Sequence, residues 1–189
     1  MNDRTSEKHV CSHRHAFFLD NIVRMLFQSP KRIVGRYIEP GQTVIDIGCG
    51  PGFFTLAMAE MVGEEGRVIA VDLQREMLDK VRKKSRKAGL ASRIELHQCG
   101  EDRLGLEDDL RADFILVFYV LHEVASPALL LTELKQLLKE KGRVLIVEPP
   151  FHVSKKKFKE FLAKARQAGF TLVDYPRQKG GRSVLLAVR

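Results

Sequence analysis

No stretch of this chain approaches the ~18 to 20 apolar residues that cross a bilayer. The longest uninterrupted apolar run, residues 114–121, is eight long, and the charged opening MNDRTSEKH carries no secretory apolar region. Cysteine is scarce as well: Cys11, Cys49 and Cys99 are an odd number with no CxxC pair, which speaks against a disulfide framework and for a reducing compartment. The expectation is a soluble, cytoplasmic protein. Internal repeats, low-complexity tracts and Pro/Gly/Ser linkers are also missing, so residues 1–189 read as one domain. With 44% hydrophobic and 30% charged residues, a chain of this length can bury a full core.

Acidic residues are nearly absent from one region. Residues 150–189 hold 10 Lys and Arg against 2 Asp and Glu, whereas the first 149 hold 22 of each sign, so the net charge of +8 arises in the last forty residues. Lys155, Lys156, Lys157, Lys159, Lys164 and Arg166 carry much of it. Such a run is either a solvated helix face or a surface for phosphate, nucleic acid or another anionic partner.

What is present is an alternation. Short runs rich in β-branched and aliphatic residues at 44–47, 67–71, 94–98, 114–118 and 144–147 are separated by segments of helical periodicity, the pattern of crossover units on a parallel sheet. Ser29-Pro30 and Ser126-Pro127 each read as a capping residue followed by a first-turn proline. Leu129, Leu130, Leu134, Leu137 and Leu138 then form an amphipathic stripe, with Gly142 as its stop, and Phe158, Phe161, Leu162 and Ala165 form another that ends at Gly169. Two last apolar runs, 170–173 and 184–188, flank a turn region at 176–182 and predict an antiparallel pair closing one edge.

The most informative stretch is Val44-Ile-Asp46-Ile-Gly48-Cys49-Gly50-Pro-Gly52-Phe-Phe54. Glycines at 48, 50 and 52 permit positive φ and a close ligand approach where the chain leaves a strand. In a doubly wound sheet such a loop lies at the carboxyl end of the strands, at the point where strand order reverses. A dinucleotide fingerprint would need a third glycine where Phe53 stands, and the GxxxxGK[ST] phosphate loop is absent. An acidic residue two positions before the first glycine repels pyrophosphate but suits a ligand bearing an ammonium and a sulfonium.

With these residues the chain resembles the class I S-adenosylmethionine-dependent methyltransferases, from about residue 30 to 189. The resemblance implies an α/β, doubly wound, Rossmann-like sheet of seven strands, mostly parallel with an antiparallel C-terminal strand and helices on both faces. It implies S-adenosyl-L-methionine as cofactor, held by Asp46, Gly48, Cys49, Gly50 and Gly52 in the first motif. The second motif, Val71-Asp72-Leu73 with Met77 in the following helix, would place Asp72 against the ribose hydroxyls. The spacing of Asp72 from the glycine loop alone would equally suit a nicotinamide cofactor. Glu101 or Asp102, after the third strand, would meet the adenine amino group. Phe118-Tyr119-Val120-Leu121-His122-Glu123-Val124 is similar to the LHxV pattern of methyltransferases acting on quinones and other small molecules, and places Phe118 and Tyr119 beside the cofactor.

Two readings of His122 stay open: a general base for a hydroxyl or acidic carbon, or a loop residue bonded to backbone. The acceptor is expected to be small or apolar. No Asn/Asp-Pro-Pro-aromatic motif follows the fourth strand, no cysteine follows the fourth or fifth, and the three cysteines do not match arsenite methyltransferases. Glu148-Pro149-Pro150-Phe151 reads as a rigid exit from the fifth strand. Residues 1–28 form an N-terminal arm; 16–28 is either a lid helix over the acceptor pocket or ordinary core, and His9, Cys11, His13 and His15 read as incidental rather than as a metal site. RNA methylation through the basic helix, and cofactor binding without catalysis, are the alternatives.

Overall fold

The computed structural model describes residues 29–178 and 181–188. The expected lid helix at 16–28 and the histidines of the arm lie outside the described residues. The apolar runs become β1 (Thr43–Ile47), β2 (Arg67–Asp72), β3 (Ile94–Gln98), β4 (Ala112–Phe118), β5 (Leu138–Glu148), β6 (Phe170–Asp174) and β7 (Arg182–Val188). They form one sheet in the order β3-β2-β1-β4-β5-β7-β6. Pairing is parallel from β3 through β5, while β7 runs antiparallel to both β5 and β6. The predicted antiparallel edge pair is there. The chain builds outward from β1 to β3 and then returns to the other side of β1 as β4, so the reversal point lies between β1 and β4.

Among the described residues five α-helices cover the sheet: α1 (Pro30–Val34), α2 (Phe53–Met61), α3 (Arg75–Lys87), α4 (Pro127–Leu137) and α5 (Lys155–Gln167). Strand alternation divides the core in two. Ile45, Ile115 and Val117 pack with Leu131 and Leu134 of α4 and Phe158 and Phe161 of α5, whereas Val44, Phe114 and Leu116 pack with Val34 of α1 and Met58 of α2. Each such fully buried aliphatic side chain contributes about 1.5–3 kcal/mol relative to exposure. Both faces of the central strands are dry, which is why they read as continuous apolar runs rather than alternating ones.

Both helices with a Ser-Pro start begin where expected, but one capping bond and one helix end differ. Ser126 caps α4 as predicted, its hydroxyl accepting the Leu129 N–H at 3.3 Å. Ser29 makes no side-chain cap, and the Arg32 N–H bonds instead to its carbonyl at 3.0 Å. At the other end, α4 stops at Leu137 and Leu138 already pairs with Ala112. Gly142 is therefore inside β5, where a Cβ would come within 2.8 Å of the Ala112 carbonyl. Its role is close backbone approach at a bulge, not a helix stop.

Candidate functional site

The carboxyl ends of β1, β2, β3 and β4 converge on a cavity of about 220 Å³. Its floor is the glycine loop. The Gly48 and Cys49 N–H groups both bond to the Val71 carbonyl, at 2.8 and 3.0 Å, so the loop leaves β1 still tied to β2. Gly48 has φ 67°, and a Cβ there would lie 2.2 Å from Val120 Cγ2 in the loop after β4. Gly52 has a different task. Its φ is 86°, it caps α2, and a Cβ would press on Val81 of α3 at 3.1 Å, so it sets helix packing and does not line the cavity.

Two buried carboxylates stand at this end. Asp46, 2% exposed in β1, accepts the Thr55 hydroxyl at 2.6 Å. Burial pushes its pKa up to about 7, the Thr55 bond opposing and the nearby charge of Asp72 adding to the rise. Asp72, at the last position of β2, accepts the Gln74 N–H at 2.9 Å with one oxygen and the Gly50 N–H at 2.8 Å with the other. Burial raises its pKa, against the backbone donors of Gln74, Gly50 and Leu73. Each oxygen keeps a second lone pair, so two hydroxyl donors from a ligand can still be accepted. Cys49 lies buried between these carboxylates, and burial followed by their charge raises its thiol pKa, so it is a neutral space-filler.

The other expected residues divide. Leu73, Glu101, Asp102, Phe118 and Tyr119 line the cavity together with Asp46, Gly48, Cys49, Gly50 and Asp72. Tyr119 does so with φ 61°, a left-handed conformation uncommon for an aromatic residue, while its N–H holds the Val147 carbonyl at 2.8 Å. Met77 is buried in the first turn of α3 and is not part of the lining, because the helix turns that position into the α3 packing face.

His122 stands beside the cavity rather than in its wall, although its neighbours Val120 and Glu123 line it. Its Nδ1 lies 2.7 Å from Oε2 of Glu148, which is 0% exposed at the end of β5 and accepts the Leu121 N–H at 2.9 Å with its other oxygen. The His152 ring stacks on it at 5.5 Å. Burial works to lower the His122 pKa, but the hydrogen bond and charge of Glu148, with Glu123 behind them, outweigh it and raise the value above the ordinary imidazole range. Glu148 is thus more than the exit of a strand. A glutamate ending the apolar run Val144-Leu-Ile-Val-Glu148 was the available signal, since a carboxylate is not left inside a core without a partner.

Comparison with known proteins gives a consistent picture. A family model described as a methyltransferase domain matches residues 38–175. The ubiquinone/menaquinone biosynthesis C-methyltransferase UbiE of Vibrio vulnificus is 34% identical over 110 residues, covering 58% of this chain and 42% of that protein. The UbiE of Escherichia fergusonii is 32% identical over 111 residues, covering 59% and 44%. The chain therefore spans less than half the length of these curated relatives. Among solved structures, a SAM-dependent methyltransferase from Aquifex aeolicus matches with a TM-score of 0.79 at 27% identity, covering 93% of this chain and 98% of that one. A TehB-like SAM-dependent methyltransferase from Corynebacterium glutamicum, at 16% identity and TM-score 0.68, shares the fold.

Proposed function

Since the chain belongs to the methyltransferase-domain family, we propose that it is an S-adenosylmethionine-dependent methyltransferase whose acceptor is a small, quinone-type or related apolar molecule with a reacting atom that must lose a proton. The observation that carries this reading is the His122–Glu148 pair next to the loop that closes the cofactor cavity. The UbiE relatives, by name C-methyltransferases of ubiquinone and menaquinone biosynthesis, support the acceptor class.

The residues of the cavity fit the cofactor by the chemistry of their groups. Asp72 offers acceptor-only oxygens for hydroxyl donors, Asp46 offers a buried carboxyl for a cationic group, and the glycine loop brings backbone close. When bound, S-adenosylmethionine supplies an electrophilic methyl group on a sulfonium. The protein's share is to orient the acceptor, exclude water and hold the proton that leaves it. With Nδ1–H donated to Glu148, Nε2 is the basic nitrogen of the neutral ring and takes that proton; Glu148 holds the ring in place and stabilises the imidazolium formed. Glu101 and Asp102, both exposed on the cavity rim, remain the candidates for the adenine contact. A reducing cytoplasmic compartment belongs to the same proposal, supported by the free thiols of Cys49 and Cys99.

The exposed lysines of α5 favour a second acceptor class, RNA. Incubation with labelled-methyl cofactor against pools of quinol-type small molecules and of RNA separates the two. Label in the small-molecule pool, with a rate that rises with pH through the His122 titration and falls ~100-fold in His122→Ala, is the expected result. Label confined to RNA would overturn the proposal.

A further inference from the structure

The segment joining β3 to β4 forms one wall of the cavity over residues 99–104. It is pinned at its start, where the Cys99 N–H meets the Asp72 carbonyl at 3.1 Å, and it closes a turn with the Gly100 N–H on the Arg103 carbonyl at 3.0 Å. Residues 101–103 are exposed, so core burial does not hold them. The far end is held at one residue from two sides. The Leu104 N–H lies 3.0 and 3.2 Å from the two carboxylate oxygens of Glu133, and the Leu104 carbonyl lies 2.8 Å from Nε2 of His97. A carbonyl only accepts, so His97 carries its proton on Nε2.

Glu133 belongs to α4, where Ser126, Leu130 and Glu133 recur at steps of four and three and all line the cavity. One helix face therefore runs from the loop that carries His122 to the wall on the opposite side, and Glu133 is its reach across. We propose that Glu133 and His97 are positioning residues for the cofactor: by clamping both backbone groups of Leu104 they fix the turn at residues 100–103 as a preformed wall. The inference rests on the cofactor reading above. Without the clamp the wall must be ordered at the moment of binding, and that entropy is subtracted from affinity. The chemistry at the ends of β4 and β5 keeps its own supports, so the loss falls on binding far more than on turnover.

The test measures cofactor and demethylated-product affinity by calorimetry on the full chain, with steady-state kinetics and amide exchange beside it. Glu133→Ala is expected to weaken both affinities about tenfold, the loss of a charge-assisted bond at a half-buried N–H, and to raise the cofactor KM by the same factor while kcat falls less than twofold. Glu133→Gln keeps an acceptor oxygen and should recover most of the affinity, and amide exchange should quicken at residues 100–104 in the alanine variant alone. Should Glu133→Ala fail to fold, His97→Ala carries the same expectation from the other side of Leu104. Unchanged affinity in a folded variant, or affinity, kcat and global exchange deteriorating together, would overturn the clamp. A wild-type chain that binds no cofactor would overturn both the cofactor reading and the clamp built on it, whereas wild-type binding with an unaffected variant removes the clamp alone.

Discussion

At the β1–β2 end of the cavity two carboxylates, Asp46 and Asp72, are held by a threonine hydroxyl and backbone N–H groups, whereas at the β4–β5 end Glu148 is held by a backbone N–H and an imidazole. The first pair has neutral donors as its described partners, and burial raises both of its pKa values. The second has a counter-charge built in, and it is the histidine that shifts upward. A buried carboxyl matched only by neutral dipoles becomes fully charged when a cation arrives, so that end is prepared for a ligand. A carboxylate matched by an imidazole has its proton partner already, the arrangement that the proposed proton transfer would use.

The largest expected effect breaks the second end. Glu148→Ala strands the Leu121 N–H and the imidazole, and chemical denaturation should show a loss of ~3 to 5 kcal/mol, the range for removing one member of a buried pair. Glu148→Gln keeps an acceptor for Leu121 and should restore most of that stability, but transfer should stay ~100-fold depressed because the imidazolium has lost its counter-charge.

At the first end, Asp72→Asn turns an amide NH₂ toward a backbone N–H, of Gly50 or of Gln74, and cofactor affinity by calorimetry should fall about tenfold to a hundredfold. A drop in acceptor binding of the same size would erase the distinction between the ends.

The pH profile sharpens the comparison further. With the Asp46 pKa pushed up to about 7, affinity for the cationic cofactor should fall as pH drops below that value, by up to about tenfold per unit, and Asp46→Asn should flatten the profile. For the unliganded protein the sign is opposite. The folded pKa of Asp46 is raised, so its contribution to stability is complete below the ordinary carboxylate value of 3.8 and is lost as pH rises through about 7. The His122 contribution is likewise complete below the ordinary imidazole value of 6.5 and disappears as pH rises through its elevated folded pKa, where the neutral ring needed as a base appears. Thermal melts and initial rates between pH 5 and 9 would show a melting temperature that declines while the rate climbs.

The smallest effect concerns α4, which runs from one end to the other. Ser126→Ala removes the cap on Leu129 and should lower stability by about 1 kcal/mol in a denaturant titration.

The seven-stranded sheet and the antiparallel pair were legible because buried aliphatic residues dominate the central strands and α4 and α5 each carry an apolar stripe. So was the β1–β2 end of the site, where Asp46, the glycines and Asp72 are near neighbours in sequence or stand at the end of a strand. Glu148 and Glu133 were not. The partners of Glu148 lie 26 and 27 positions away, and the Leu104 amide lies 29 from Glu133, so both depend on strand register and on which face of α4 turns inward. Spacing along a chain does not encode those contacts. Met77 and Gly52 stand near the loop in sequence but do not line the cavity: Met77 is buried in α3 and Gly52 packs against Val81 of the same helix. His122 was singled out by its motif, while Glu148, which lies against its ring, was read only as part of a rigid exit from the fifth strand.

The position of β7 sets an order of events during synthesis. Last of the described strands, it lies between β5 and β6, and every residue from Arg143 to Glu148 pairs with it. A nascent chain that has not yet released residues 182–188 from the ribosome has β5 as a bare edge and β6 with no strand to join. The strand that carries Glu148 is therefore paired on both sides only once residues 182–188 are available. Until then β1 to β4 can form while the far edge of β5 waits for its partner.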